Sequence, residues 1–293
     1  NAIKSKRIIE LTSNEAGIVF RKDKTFLLDW MQVYMEAQES AGKKDGSQIK
    51  IAMRILKDYA GEMVTLDQID GDFCRGYITY LLTEYHPKGK DISNYTLHNY
   101  YRALNGALNS AVRKRKMKAN PFNELEKSEK IRKPESMRSY MTIEEVQALI
   151  DTPMPHEEYE IVKCAYLFSC FCGLRISDII KLKWNDVFVD RGQYRLAVSM
   201  KKTKEPIYLP LSPEALKWMP ERGGKSSEDN VFDLPSANTI RMQLKPWAKA
   251  AGISKRFSYH TSRHTFATMM LTLGADLYTV SKLLGHADVK MTQ

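Results

Sequence analysis

Over the first third of the chain, apolar residues recur at helical spacing. Phe26, Leu27, Trp30, Val33, Tyr34 and Ala37 follow one another at three- and four-residue steps, which predicts an amphipathic helix. Ile49, Met53, Leu56 and Tyr59 predict a second, and Phe73, Tyr77, Tyr80 and Leu81 a third. Ser93 is a natural N-cap for a fourth helix carrying Leu97, Tyr101, Leu104, Leu108 and Val112. This reads as a small all-α domain over 18–120, behind an N-terminal linker remnant at 1–17. The pattern stops at Asn120-Pro121-Phe122, where Pro121 biases Asn120 away from the α region. Residues 121–137 then carry charges of both signs, few apolar side chains and a further proline, Pro134, and read as an extended interdomain linker.

A different pattern fills 138–293. Thr142-Ile143-Glu144-Glu145 is a capping box that opens a helix, and 157–172 is a mostly apolar helix. Val187–Asp190, Tyr194–Ser199 and Ile207–Leu209 predict three short strands, with Arg191-Gly192 as the first turn. Helices resume from Ser236. The expected second domain is thus mixed α+β, with a small antiparallel sheet near its middle, and the whole chain is mainly α.

Composition narrows the class. The chain has 293 residues and a net charge of +10, which points to a polyanionic partner, with nucleic acid first. Arg113-Lys114-Arg115-Lys116-Met117-Lys118 concentrates that charge. No apolar run approaches the ~20 residues of a membrane span. The start, Asn1-Ala2-Ile3-Lys4, lacks both an apolar signal region and an initiator Met, and reads as a piece of a longer polypeptide. Cys74, Cys164, Cys170 and Cys172 fit no zinc spacing and read as reduced, core-filling thiols of a cytosolic protein.

Four elements of the second domain carry possible chemistry. Arg175 lies in Cys172-Gly173-Leu174-Arg175-Ile176-Ser177-Asp178, at a tight helix–helix junction where Gly173 ends one helix and Ser177 or Asp178 helps cap the next. Lys201-Lys202-Thr203-Lys204 falls between two expected strands, where an ammonium could reach a DNA groove or donate a proton. His260 and Arg263 are three apart, on one helix face; the arginine fork matches phosphate oxygens and the histidine can donate or move a proton. Leu283-Leu284-Gly285-His286 closes an amphipathic helix, with Gly285 at C′ and His286 projecting from the turn. Taken singly, each also describes an ordinary turn, hairpin tip or helix end.

Their order and spacing together resemble the catalytic domain of the tyrosine recombinases, the phage-integrase family. The preceding four-helix region is similar to that family's SAM-like core-binding domain, and the likeness runs from about Asp23 to the end. The resemblance implies cleavage and rejoining of double-stranded DNA at specific sites, without metal or nucleotide cofactor, through a 3′-phosphotyrosine that conserves the phosphodiester energy. It implies that Arg175 and Arg263 clamp the non-bridging phosphate oxygens, that His260 assists the tyrosine or phosphate, and that His286 contacts a phosphate oxygen. Lys202, followed by Thr203 and the strand end Leu209-Pro210, best fits the lysine that protonates the leaving 5′-oxygen; Lys201 and Lys204 are runners-up. The nucleophilic tyrosine is expected about nine residues after His286, roughly two positions beyond Gln293. Asp288–Gln293 resembles the approach to it, and Tyr278 lies on the wrong side of His286. As written, the polypeptide should bind DNA and not cleave it covalently.

Further expectations follow for the DNA grip and the cellular role. Candidate contacts on helix faces and the basic cluster are Lys22, Lys24, Ser93, Asn94, Thr96, His98, Asn99, Arg102, Arg113 and Lys114, with positive charge on both sides of the linker. The family expectation is a homotetramer on two DNA sites, with a DNA-free monomer equally compatible, acting in the bacterial cytoplasm or nucleoid, with no membrane. Integration or excision of a mobile element fits a core fragment that follows an N-terminal arm-binding domain. The competing readings are a DNA-binding module without catalysis, a type IB topoisomerase (less compatible with the compact layout) and a zinc hydrolase using His260, His264 and His286. Ser262 and Arg263 stand where a metalloprotease helix places its Glu, and a guanidinium opposes a bound cation.

Overall fold

The computed structural model describes residues 24–43, 45–135, 138–199, 206–286 and 288–292. The chain divides into two compact units, 1–135 and 136–293.

In the first unit the four expected helices form: α1 (Leu27–Ser40), α2 (Gly46–Ala60), α3 (Gly71–Thr83) and α4 (Asn94–Arg113). Their apolar stripes meet in one core that includes Met31, Ile55, Leu56, Tyr77, Leu81, Leu104 and Leu108. Trp30 Nε1 donates to the Ala107 carbonyl at 2.8 Å, tying α1 to α4, whereas the buried Tyr77 hydroxyl has no hydrogen-bond partner. Ser93 caps α4 through the Thr96 N–H, at 3.3 Å, and Asp70 caps α3 through the Phe73 N–H, at 2.8 Å. Val33, expected on the buried stripe of α1, is 53% exposed, because the face carrying Trp30, Met31 and Met35 packs inward instead.

The segment expected to be an extended linker departs more from expectation. Phe122, Leu125 and Ile131 are buried in the core of the first unit. Asn120 fastens its start: Nδ2 donates to Asn105 Oδ1 at 2.7 Å and to Asn109 Oδ1 at 2.8 Å, and Oδ1 accepts from the Phe122 N–H at 3.1 Å. Three well-spaced apolar side chains and one asparagine are enough to fold residues 120–131 back onto helices α3 and α4, despite the high charge between them.

The second unit is built around α6 (Glu160–Cys172), which follows α5 (Ile143–Asp151). Val162, Ala165, Tyr166, Leu167, Phe168 and Cys170 of α6 are fully buried. The Thr142–Glu145 capping box forms as expected. After the one-turn α7 (Ile176–Ile179) come β1 (Val187–Asp190), β2 (Gln193–Ser199) and β3 (Pro206–Pro210), an antiparallel sheet in the order β1-β2-β3. Its register pairs Val187 with Leu196 and Leu196 with Leu209, so one face points into the core. A short α8 (Pro213–Lys217), capped by Ser212, was not expected. Then follow α9 (Ala237–Ala250), α10 (Tyr259–Thr272) and α11 (Leu277–Leu283).

Helix α10 packs on α6 through a polar seam as well as apolar contact. Tyr166 Oη and Thr261 Oγ1 are 2.8 Å apart, and Tyr259 Oη donates to the Ala165 carbonyl at 2.6 Å. All four cysteines are free thiols, and burial pushes Cys74 and Cys172 up to about 12, so neither is a thiolate at neutral pH. Among the described residues no helix is long and apolar enough to cross a membrane.

Candidate active site

Four chain segments of the second unit converge on one cavity of about 330 Å³. It is lined by Arg138, Arg175, His260, Arg263, His264, Ala267, Leu284, His286, Met291 and Thr292. Arg175, His260, Arg263 and His286, which the sequence marks separately, therefore share one site. Lys22, Lys201, Lys202 and Lys204 lie outside the described residues.

Local rules explain how each element arrives. Helix α6 ends at Gly173, whose φ of +74° is left-handed. A Cβ there would sit 2.5 Å from the Phe266 ring and 3.1 Å from Leu284, so glycine lets three segments approach. Buried Leu174 anchors the turn, and Arg175 follows in extended conformation as the N-cap of α7. On α10, Thr261, Ser262, Arg263, Thr265 and Phe266 face inward. The low amphipathicity of this helix, polar even on its buried side, is the mark of a helix that carries a site. The chain after α11 turns at Gly285, φ +60°, and presents His286.

Arg263 is the hub. It is only 3% exposed. Nη1 donates to the Gly173 carbonyl at 2.7 Å, and Nη2 donates to the Leu284 carbonyl and to His286 Nε2, the latter at 3.0 Å. One guanidinium thus ties the Gly173 turn to the end of α11. Burial, and then Arg175, push it down from 12.5 to about 9, while Asp178 opposes them, so it stays charged at neutral pH. The sequence marks Asp178 only as a possible cap. It lies three positions after Arg175, its Oδ1 accepts from Ser177 at 3.2 Å, and it acts on Arg263 electrostatically.

The hydrogen bonds also set the His286 tautomer. An arginine can only donate, so Nε2 is the unprotonated acceptor. Nδ1 then carries the proton and donates to Thr292 Oγ1 at 2.8 Å. His260 and His264 stack edge to face with centroids 4.7 Å apart, one turn from each other on α10. His264 and Arg138 were not among the expected phosphate-site residues. The i, i+4 spacing from His260 could have flagged the first, while nothing local flags Arg138.

Burial first, and the cationic surroundings second, keep the imidazoles neutral. Burial and then His260 push His264 down from 6.5 to about 4. Burial and then Arg263 do the same to His286, also to about 4. His260 is lowered by burial and then by Arg263 and Arg175. The unfolded chain therefore binds more protons than the folded one between about pH 6.5 and about pH 4. The stability these rings contribute is fully present above the upper value and is lost as pH falls through the window. Ring resonances of the free chain should show His264 and His286 neutral at pH 5, with denaturant midpoints falling from pH 7 to pH 5. A midpoint above about 6 for either ring would contradict this.

Three positive guanidiniums and three neutral imidazoles, with no carboxylate among the described residues of the cavity wall, suit an anion. Among the described residues, no cluster of three or more His, Cys, Asp or Glu is placed to hold a metal ion.

The expected DNA contacts of the first unit are less uniform. Lys24, Asn94, Arg113 and Lys114 are exposed, and Asn99 is partly so. The others have internal partners. Ser93 and Thr96 bond each other at 2.9 Å in the α4 cap, His98 Nδ1 meets the Ile131 carbonyl at 2.8 Å, and Arg102 pairs with Asp45 at 3.2 Å.

Comparison with known proteins agrees in both units. Residues 139–293 match the phage integrase family, and residues 26–132 match the phage integrase SAM-like domain. The tyrosine recombinase XerD of Vibrio vulnificus is 33% identical over 175 residues, 55% of this chain and 56% of that protein. The tyrosine recombinase XerC of Pelobacter propionicus is 28% identical over 243 residues, 80% of this chain and 76% of that one. The chain thus spans little more than half the length of the first of these relatives. Among solved structures, the Tn1549 transposon integrase in complex with circular intermediate DNA aligns with a TM-score of 0.72 at 17% identity, covering 92% of this chain and 94% of that one. A lambda integrase dimer bound to a COC′ core site aligns with a TM-score of 0.65 at 20% identity, covering 91% and 97%. At these identities the structural likeness speaks for the fold, while the family match spans more than half of the chain. The chain belongs to the phage integrase family.

Proposed function

We propose that the protein is a site-specific DNA recombinase that cleaves and rejoins strands through a 3′-phosphotyrosine, in the service of a mobile element that integrates or excises. The observation that carries this reading is the convergence of Arg175, Arg263, His260 and His286 on one cavity. In it, Arg175 and Arg263 hold the non-bridging oxygens of the scissile phosphate and stabilise the charge of the transition state. His260, kept neutral by its surroundings, can accept the tyrosine proton or donate to the phosphate. His286 reaches a phosphate oxygen only by releasing one of its present partners, Arg263 or Thr292. Lys202, in the connection between β2 and β3, protonates the leaving 5′-oxygen, with Lys201 and Lys204 beside it on the DNA. The nucleophile is a tyrosine about nine residues past His286, the position the family spacing sets.

The substrate is double-stranded DNA carrying recombination sites, and the working assembly is a homotetramer on two such sites. The first unit contributes backbone contacts from the exposed Arg113 and Lys114, with Lys24, Asn94 and Asn99 also able to reach DNA. Such binding releases counterions, so affinity falls with salt at about 0.9 logarithmic units per phosphate neutralised. Fluorescence anisotropy with duplexes selected by binding tests it. The chain should bind with a steep salt slope, and the Arg113→Gln/Lys114→Gln pair should reduce that slope by about 2. Binding that is absent, or independent of salt, would overturn the DNA reading. Binding by the full-length protein without any strand cleavage would leave a DNA-binding module on the same scaffold.

A further inference from the structure

We infer that Arg138 is a further phosphate-binding residue of the cavity, a third guanidinium beside Arg175 and Arg263; this rests on reading that cavity as the site of the scissile phosphate. Arg138 lies far from the other cavity residues in sequence, at the very start of the second unit, yet it lines the same 330 Å³ space. Its place is built rather than incidental. Three residues on, Met141 is 1% exposed, and its N–H donates to Thr265 Oγ1 at 2.9 Å. Thr265 is the neighbour of His264 on α10, so the entering segment is fastened to the helix that carries the site. Between them, the Tyr140 carbonyl accepts from Lys255 Nζ at 2.6 Å, and Lys255 also pairs with Glu145.

The Arg138 side chain uses one donor visibly: Nη1 bonds the Met291 carbonyl at 3.0 Å. A guanidinium has five N–H donors in a fixed fork, so this bond leaves donors for an anion. Its field is felt across the cavity, where it helps to lower His260, His264 and His286 alike. The charge balance has room for it. Among the described residues no carboxylate lines the cavity, and a phosphodiester approaching a five-coordinate state gathers negative charge beyond its single ground-state charge. The partly exposed Arg175 and the buried Arg263 approach that charge from the Gly173 turn and from α10, and Arg138 approaches it from the segment that enters the unit.

The test uses the chain as it stands and inorganic phosphate as the probe. Titrations are followed through the ring resonances of His260, His264 and His286. Arg138→Ala should weaken phosphate binding about tenfold, the loss of a charged hydrogen bond. Arg138→Lys, which keeps the charge without the fork, should fall between, and Arg241→Ala, an exposed arginine elsewhere in the unit, should bind like the wild type. If Arg138→Ala and Arg138→Lys bind phosphate normally but speed amide exchange at 288–292, Arg138 is only a tether for Met291 and the inference is overturned. Arg175→Ala separates this from failure of the parent reading. Weakened binding there, with none in the Arg138 variants, sinks the inference alone. Unchanged binding in Arg175→Ala as well would remove the phosphate assignment of the cavity itself.

Discussion

Arg175→Ala in the full-length protein is expected to slow formation of a covalent protein–DNA complex by about 10²–10³-fold, the usual cost of removing one preorganised donor from a developing anion. Folding should change less than in Arg263→Ala, because Arg175 is partly exposed on the N-cap of a one-turn helix whereas Arg263 is buried. DNA affinity should also survive, since most of it comes from contacts spread over the duplex backbone. The informative pattern is a lost rate with retained binding and a smaller loss of stability than in Arg263→Ala, read by quenched time courses, anisotropy and thermal melts on the same preparations. Equal losses in rate and binding would place Arg175 in general DNA affinity instead.

Arg263→Ala should behave differently, and the contrast is diagnostic. Its side chain is buried and satisfies the Gly173 and Leu284 carbonyls as well as His286 Nε2. Truncation leaves these acceptors unpaired and opens a void where the Gly173 turn meets the end of α11. A loss of about 3–5 kcal/mol is expected, from unsatisfied buried acceptors and lost packing. Covalent-complex formation should vanish together with much of the stability. Arg263→Lys retains the charge but cannot reach two carbonyls and the imidazole at once, so it should recover part of the stability and little of the cleavage. Denaturant melts on both variants check this; an Arg263→Ala protein as stable as the wild type would contradict the hub role.

The contrast between these two arginines also shows what sequence can and cannot convey. Arg175, His260, Arg263 and His286 were legible because each sits at a position that local rules define: a glycine helix end, a helix face, a C′ turn. Their shared cavity followed from resemblance, not from spacing. The four helices of the first unit and the three strands of the second were legible from periodicity alone. The fold-back of 120–131 was not, since its charges mask the spaced apolar residues Phe122, Leu125 and Ile131, and the acceptors of Asn120 lie on α4. Asp178 was visible but underread, because its electrostatic partner Arg263 is brought near only by tertiary packing. Arg138 left no local trace, and its place depends on Met141 and Tyr140 being fastened to other elements. Likewise the three neutral histidines follow from burial among guanidiniums, which no single segment contains.

The central claim is that this cavity holds a scissile phosphate for attack by a tyrosine. Its most direct test is to incubate the full-length protein with a nicked half-site duplex, denature in SDS, and map the adduct by mass spectrometry. The account predicts a complex stable in SDS, joined through a 3′-phosphotyrosine at the residue about nine positions after His286, with a free 5′-hydroxyl released. Cleavage through a 5′-phosphate linkage, through another residue, or without any covalent adduct would contradict it.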